Sequence, residues 1–229
     1  MIPLVLIPGM MCDARMWGET SSAFTARSVH HALPVEGTTT AGMASAILRD
    51  APPRFALAGL SMGGIVAMEM LQQAPERIER LALLDTNPRA EVDEVKRRRA
   101  AQIERAQAGD LGGVLRDEMK PNYLSPRAND PSILALCMQM ALELGPDIFI
   151  RQSLALRDRT DRQSVLARFR RPALVLMGED DRLCPIDRHE LMHSLMPQSR
   201  LVIVPGAGHL PPLENPIPTI AALRRWLED

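Results

Sequence analysis

Ser61 stands at the centre of Gly59-Leu60-Ser61-Met62-Gly63-Gly64, a G-x-S-x-G pattern. A serine hydroxyl is a weak nucleophile until a base takes its proton. The pattern gains meaning from its flanks. Phe55-Ala56-Leu57-Ala58 is a continuous apolar run of strand type. Met62 to Gln73 is rich in Ala and Met and stops near Pro75, as a helix does. A serine on so tight a strand-to-helix turn is held in a strained backbone, with its hydroxyl pushed out above the sheet. Glycines on both sides let strand and helix approach closely. The helix N-terminus aims free N–H groups and a positive dipole at the same spot, so an oxyanion there is stabilised. Gly and Ser are common in loops, and the bare pattern equally describes an ordinary turn. The strand before it and the helix after it favour a nucleophile.

Such a serine needs a base and an orienting acid near the ends of later strands. Two segments qualify. Met177-Gly178-Glu179-Asp180-Asp181-Arg182-Leu183-Cys184-Pro185 follows an apolar run that begins at Ala173, and Val204-Pro205-Gly206-Ala207-Gly208-His209 follows another that begins at Leu201. Of the five histidines, His209 alone lies in a glycine-rich loop just after a strand. His30 and His31 fall in a weak strand between Ser28 and Leu33. His189 and His193 are four apart on a helix that reads as solvated. That pair could bind a metal, but no third ligand is evident. The acid lies among Glu179, Asp180 and Asp181, where a solvated acidic turn is the competing reading for the first two.

These residues need a frame. Leu4-Val5-Leu6-Ile7, Phe55–Ala58, Ile78–Leu84, Ala173–Met177 and Leu201–Val204 are short apolar runs, as in strands buried on both faces. Between them lie stretches with helical spacing: about Ala14 to Phe24, Met43 to Arg49, Met62 to Gln73 and Pro216 to Leu227. Alternation of this kind implies βαβ units, a mostly parallel sheet and helices on both of its faces. From about Asn87 to Arg168 no strand is convincing. That region reads as inserted helices, with turn signals at Gly109-Asp110, Gly112-Gly113 and Asn129-Asp130-Pro131, and it could cover one edge of the sheet as a cap. The expectation is a single α/β domain over 1–229 with a helical cap at about 87–168.

Composition narrows the field further. The 229 residues are 46% hydrophobic and 24% charged, with a net charge of -1. Neither nucleic acid nor a membrane surface is indicated as a partner. No stretch is expected to reach the ~18 apolar residues of a membrane span. Cys12, Cys137 and Cys184 are odd in number and widely spaced, which points to reduced thiols in a cytoplasmic protein rather than a disulfide frame or zinc site. Lys96-Arg97-Arg98-Arg99 invites an anionic-substrate reading, but a solvated helix face is the plainer expectation. Arg89, Arg151 and Arg157 are further pocket candidates.

In its nucleophile turn and the order Ser, Asp, His, the chain resembles the α/β-hydrolase fold superfamily, in a form whose sheet starts almost at residue 1. The resemblance covers both ends of the chain. It implies that the acid lies in a G-x-x-D-x-x-x-P segment, matched here by Gly178, Asp181 and Pro185. It also implies a second oxyanion N–H from the loop after the first strand. That loop often begins His-Gly-x in the family and reads Pro8-Gly9-Met10 here. Met10 maps onto the donor, with Met11 as the alternative, and Met62 gives the other N–H. Proline in place of histidine removes a side chain that often braces this loop. The implied chemistry is attack of Ser61 on an acyl carbonyl, with His209 as base and Asp181 as acid, and with neither metal nor organic cofactor. Activity should then fall at low pH as His209 gains a proton. The substrate would be a small carboxylic ester, thioester or lactone. C–C bond hydrolysis or a lyase or cyclase reaction on the same residues is the alternative. A ligand-binding member with little turnover is disfavoured by the complete set.

Overall fold

The computed structural model describes residues 1–127 and 130–228. Asn129, part of one expected turn signal, lies outside them. Six strands form one sheet: β1 (Leu4–Ile7), β2 (Val29–His31), β3 (Phe55–Leu60), β4 (Ile78–Leu84), β5 (Ala173–Gly178) and β6 (Arg200–Val204). Their order is β2-β1-β3-β4-β5-β6, and every pairing is parallel. β1, β3 and β5 are buried along their whole length. That follows from their apolar runs, since each strand has helices or loops over both faces.

The two faces can be read from the period of two along each strand. Val5, Ile7, Leu57, Leu81 and Leu83 point into one core, packed with Met43 and Ala44 of the Thr40–Asp50 helix and with Val66 and Met70 of the Met62–Gln73 helix. Leu4, Leu6, Ala56, Ala58, Ala82 and Leu84 point into the other, with Trp17, Leu223 and Trp226. The small alanines on this second face leave room for the two tryptophans. Trp226 belongs to the closing Pro216–Glu228 helix.

Two expectations about elements change. The expected helix from Ala14 to Phe24 is broken: a 3-10 turn at Ala14–Trp17 gives way to a short helix at Gly18–Ser22. Gly18 has φ 46°, a left-handed value that interrupts helical geometry. The edge strand β2 is only three residues long, with His30 and His31 exposed.

The insertion between β4 and β5 is helical, and no strand occurs in it among the described residues. Its main pieces are Asp93–Gln107 and Pro131–Arg157. The latter stretch is long and apolar enough to pass for a membrane span, contrary to expectation. It is not one straight helix. Gly145, at φ 79° and ψ 176°, breaks it ahead of Pro146 into two segments. The first places Cys137 and Met140 in the tryptophan-side core, and the second places Phe149, Ala155 and Leu156 in the other. The insertion therefore reaches both faces at one end of the sheet, above the carboxyl ends of its strands.

Candidate active site

Ser61 leaves β3 at φ 54° and ψ -116°, a left-handed conformation rare for a residue with a Cβ. Its N–H donates to the Leu84 carbonyl at 2.8 Å, and its own carbonyl accepts from Thr86 Oγ1 at 2.7 Å. Both partners sit at or beyond the end of β4, so the neighbouring strand clamps the turn. The glycines explain how strand and helix come so close. A Cβ on Gly63 would collide with the Ile7 carbonyl, and one on Gly59 with the Gly63 carbonyl.

The three sequence-selected side chains meet. His209 Nε2 lies 2.8 Å from Ser61 Oγ, and His209 Nδ1 lies 2.9 Å from Asp181 Oδ2. Asp181 is the member of its acidic run that points inward. Asp180 turns outward to Ser125 and Arg127, and Glu179 to Arg127 and the Gly206 N–H. Asp181 Oδ1 accepts the Leu183 and Cys184 N–H groups at 2.8 and 3.1 Å. Burial alone would raise the Asp181 carboxyl. The His209 charge, its hydrogen bond and the two N–H donors outweigh that and hold it down to about 2. Asp181 is thus an anion at neutral pH. Cys184 completes a set of donor atoms within 4.8 Å of one another. Burial pushes its thiol up, and Asp181 is already spent on hydrogen bonds, so the chemistry of this set does not suit an ion.

The loop after β1 runs beside the nucleophile: a Cβ on Gly9 would lie 3.5 Å from Ser61 Cβ. Met11 N–H donates to Gln152 Oε1 at 2.9 Å, and Gln152 Nε2 donates to the Pro34 carbonyl at 3.1 Å. That engagement weighs against Met11 as an oxyanion donor and leaves Met10 and Met62. Gln152 is fully buried and braces the loop after β1. Sequence reading missed it because the partners are 141 residues apart. Gln152→Ala should cost about 1–3 kcal/mol in urea unfolding, because Met11 and Pro34 keep buried polar groups without partners. It should also lower kcat by about tenfold as the loop loosens. Unchanged kcat would show that the brace does not reach the site.

A second buried carboxyl lies behind Asp181. Asp85 follows β4 at φ 46° and accepts the Gly178 N–H on Oδ1 at 2.8 Å. Burial first, then the Asp181 charge, push its carboxyl well above the usual range, against the opposing Gly178 bond. Its Oδ2 is sealed from solvent with no hydrogen-bond partner among the described residues. The unfolded chain releases the carboxyl proton near 3.8 while the folded one keeps it, so Asp85 lowers stability as pH rises above that value. Asp85→Asn keeps an acceptor and a donor in a left-handed position that Asn tolerates. It should raise Tm at pH 7, and the gain should vanish near pH 4. A lower Tm at pH 7 would contradict the raised Asp85 carboxyl.

His189 is not the solvated helix residue expected. It is fully buried, with Nδ1 3.4 Å from the Pro185 carbonyl and no partner on Nε2. Burial, partly offset by the Asp181 charge, lowers it from 6.5 to about 4. Between those values the unfolded chain binds more protons, so stability falls as pH drops from 6.5 to about 4 and is flat below. The full span is roughly 3 kcal/mol. His189→Gln should flatten that slope in urea titrations, while the further loss from Asp181 between 3.8 and about 2 persists. His193, its i+4 neighbour, hydrogen-bonds Ser199 Oγ at 2.8 Å.

The His209 loop is tied to the insertion. His209 N–H donates to the Tyr123 carbonyl at 2.7 Å. The Glu214 carboxylate accepts the N–H groups of Ser125, Gly208 and Leu210 at 2.7, 2.8 and 2.9 Å. Glu214 also escaped sequence reading; its one signal is its place shortly after His209, before Pro216.

Ser61 and His209 open into a cavity of 330 Å³ between the sheet end and the insertion. Met10, Met62 and Met119 supply soft apolar wall. Of the arginine candidates, Arg89 lines it, whereas Arg151 and Arg157 do not. The solvated reading of Lys96–Arg99 holds for Arg97, which is exposed, while Arg98 is exposed but also lines the cavity. It fails for Arg99, which is in the cavity wall and only 16% exposed.

The family model described as alpha/beta hydrolase fold matches residues 51–216. A pimeloyl-[acyl-carrier protein] methyl ester esterase of Aromatoleum aromaticum is 26% identical over 82% of this chain and 79% of its own length. The structure of a thermophilic esterase from Thermogutta terrifontis superposes with a TM-score of 0.90 and 29% identity, over 100% of this chain and 90% of that one. The enol-lactonase of Burkholderia xenovorans LB400, with a TM-score of 0.87 and 20% identity over 100% and 92%, shares the fold. With more than half of its length matched, the chain belongs to the alpha/beta hydrolase fold family and is a hydrolase.

Proposed function

We propose that this hydrolase cleaves a carboxylic ester, thioester or lactone of a small molecule through an acyl-enzyme on Ser61. One observation carries the reading: an unbroken hydrogen-bonded chain from Asp181 through His209 to Ser61 opens onto a small cavity. With Nδ1–H donating to Asp181, His209 offers its Nε2 lone pair to the serine proton. Ser61 Oγ attacks the carbonyl carbon, and the tetrahedral oxyanion is held by the Met10 and Met62 N–H groups. The intermediate collapses, and the leaving oxygen or sulfur takes the proton from His209. Water, deprotonated by His209, then attacks the acyl carbon and frees Ser61. Asp181 remains charged throughout and stabilises the imidazolium. The esterases among its relatives support ester chemistry for this chain.

A fluorophosphonate probe tests the nucleophile, and aryl esters of increasing acyl length test the reaction. The parent should be labelled on Ser61 and should turn over short-chain esters. Absence of labelling would sink the activated serine. Labelling without turnover of any ester would overturn the ester reading.

A further inference from the structure

Arg99 projects from the Asp93–Gln107 helix into the wall of the cavity that Ser61 faces. Its Nε is sealed from solvent and has no hydrogen-bond partner among the described residues. Its Nη1 reaches the Met10 thioether at 3.7 Å, a weak acceptor. Glu91 Oε2 lies 3.6 Å from Arg99 Nε, too far for a hydrogen bond, and 3.3 Å from Arg159 Nη1. Arg159 is itself only 8% exposed and also donates to the Arg89 carbonyl. Two buried guanidiniums therefore share one carboxylate. The other charges of the wall do not redress this. Glu118 is engaged by Gln102 and Arg105, Arg89 and Arg188 both turn to Asp187, and Arg98 adds a further positive charge. Burial lowers Arg99 to about 10, which still leaves it charged at neutral pH. A buried guanidinium short of acceptors is costly unless an anion completes it.

We propose that Arg99 is an anion-recognition residue, and that the preferred substrates carry a free carboxylate on the acyl part, as the half-esters of dicarboxylic acids do. This rests on ester cleavage at Ser61. Around Glu91 the two guanidiniums exceed the carboxylate by one charge, which one carboxylate group balances. The planar guanidinium suits a carboxylate's paired oxygens. Arg99 touches the Met10 side chain, and Met10 and Ser61 line the same cavity of 330 Å³. One small molecule thus reaches the nucleophile with one end and Arg99 with the other.

The test compares kcat/KM for monomethyl esters of straight-chain dicarboxylic acids with that for the corresponding neutral dimethyl esters. The parent should favor the half-ester by roughly 30-fold at its best chain length. That ratio should fall to about threefold or less in Arg99→Met and be partly kept in Arg99→Lys. A second measurement needs no variant: a free dicarboxylate should inhibit neutral-ester hydrolysis competitively, and the diamide of equal length should not. Neutral esters turned over without preference, or equal inhibition by diacid and diamide, would overturn the inference and leave the ester reading standing. Failure of every ester would overturn that reading instead. Calorimetric binding of the dicarboxylate to the parent, lost in Arg99→Met, would then still support the anion site, and its absence would end it.

Discussion

Ser61→Ala is expected to lower kcat by about 10⁶-fold without unfolding the protein. On the proposed mechanism Ser61, His209 and Asp181 act as one unit, and without the hydroxyl there is nothing for His209 to deprotonate. The proposed main-chain oxyanion donors survive the change, so a residual rate of ~10³-fold over water should remain. Stability should hardly move, because alanine keeps the Cβ and therefore the strain at φ 54°. Ser61→Gly separates the two effects. It should be equally inactive, but more resistant to urea by roughly 1 kcal/mol or more, since glycine occupies this backbone region freely. Single-turnover assays and urea titrations on the two variants give both numbers. Substantial activity in Ser61→Ala would end the acyl-enzyme mechanism.

Gly63→Ala should be among the most damaging small changes in the molecule. The added methyl would meet the Ile7 and Pro8 carbonyls, which are backbone of another strand and its loop and cannot rotate aside. Either the helix retreats from β1 or the turn opens, and both dismantle the Ser61 clamp. A cost of about 4 kcal/mol or more is expected, a large share of the ~5–15 kcal/mol that holds such proteins folded. Soluble yield and urea midpoint report it. Gly112→Ala is the control, since a methyl there meets nothing within 4 Å. If both variants behaved alike, the close approach of helix and strand would be refuted.

Ser61 and its frame were legible because local sequence determines them. Strand, tight turn and helix occupy one continuous stretch; the Met62–Gln73 helix and β4 span the ranges expected of them, and β3 runs past Ala58 to Leu60. His209 was legible from its glycine-rich loop. Asp181 needed the spacing to Gly178 and Pro185, because composition cannot tell which of three acids turns inward. The rest depends on packing between distant segments. Gln152 braces a loop from the far end of the insertion, and Arg99 enters the cavity through the docking of a whole helix. His189 misled for a similar reason: one side of its helix rests against the Asp181 loop, and no short-range pattern marks which side.

The Tyr123–His209 and Glu214 bonds have a consequence for engineering. Cap exchange between related hydrolases is attractive as a route to new substrates, and the insertion's ends suggest natural cut points. Here the seam is elsewhere. The Tyr123–Ser125 backbone lies so close to Gly208 that a Cβ there would strike it, and Glu214 holds Ser125, Gly208 and Leu210 together. A donor cap cut only at 87 and 168 would arrive without its matching half of that joint. The transferable module is the cap together with the 206–214 loop, two pieces far apart in the chain that behave as one part.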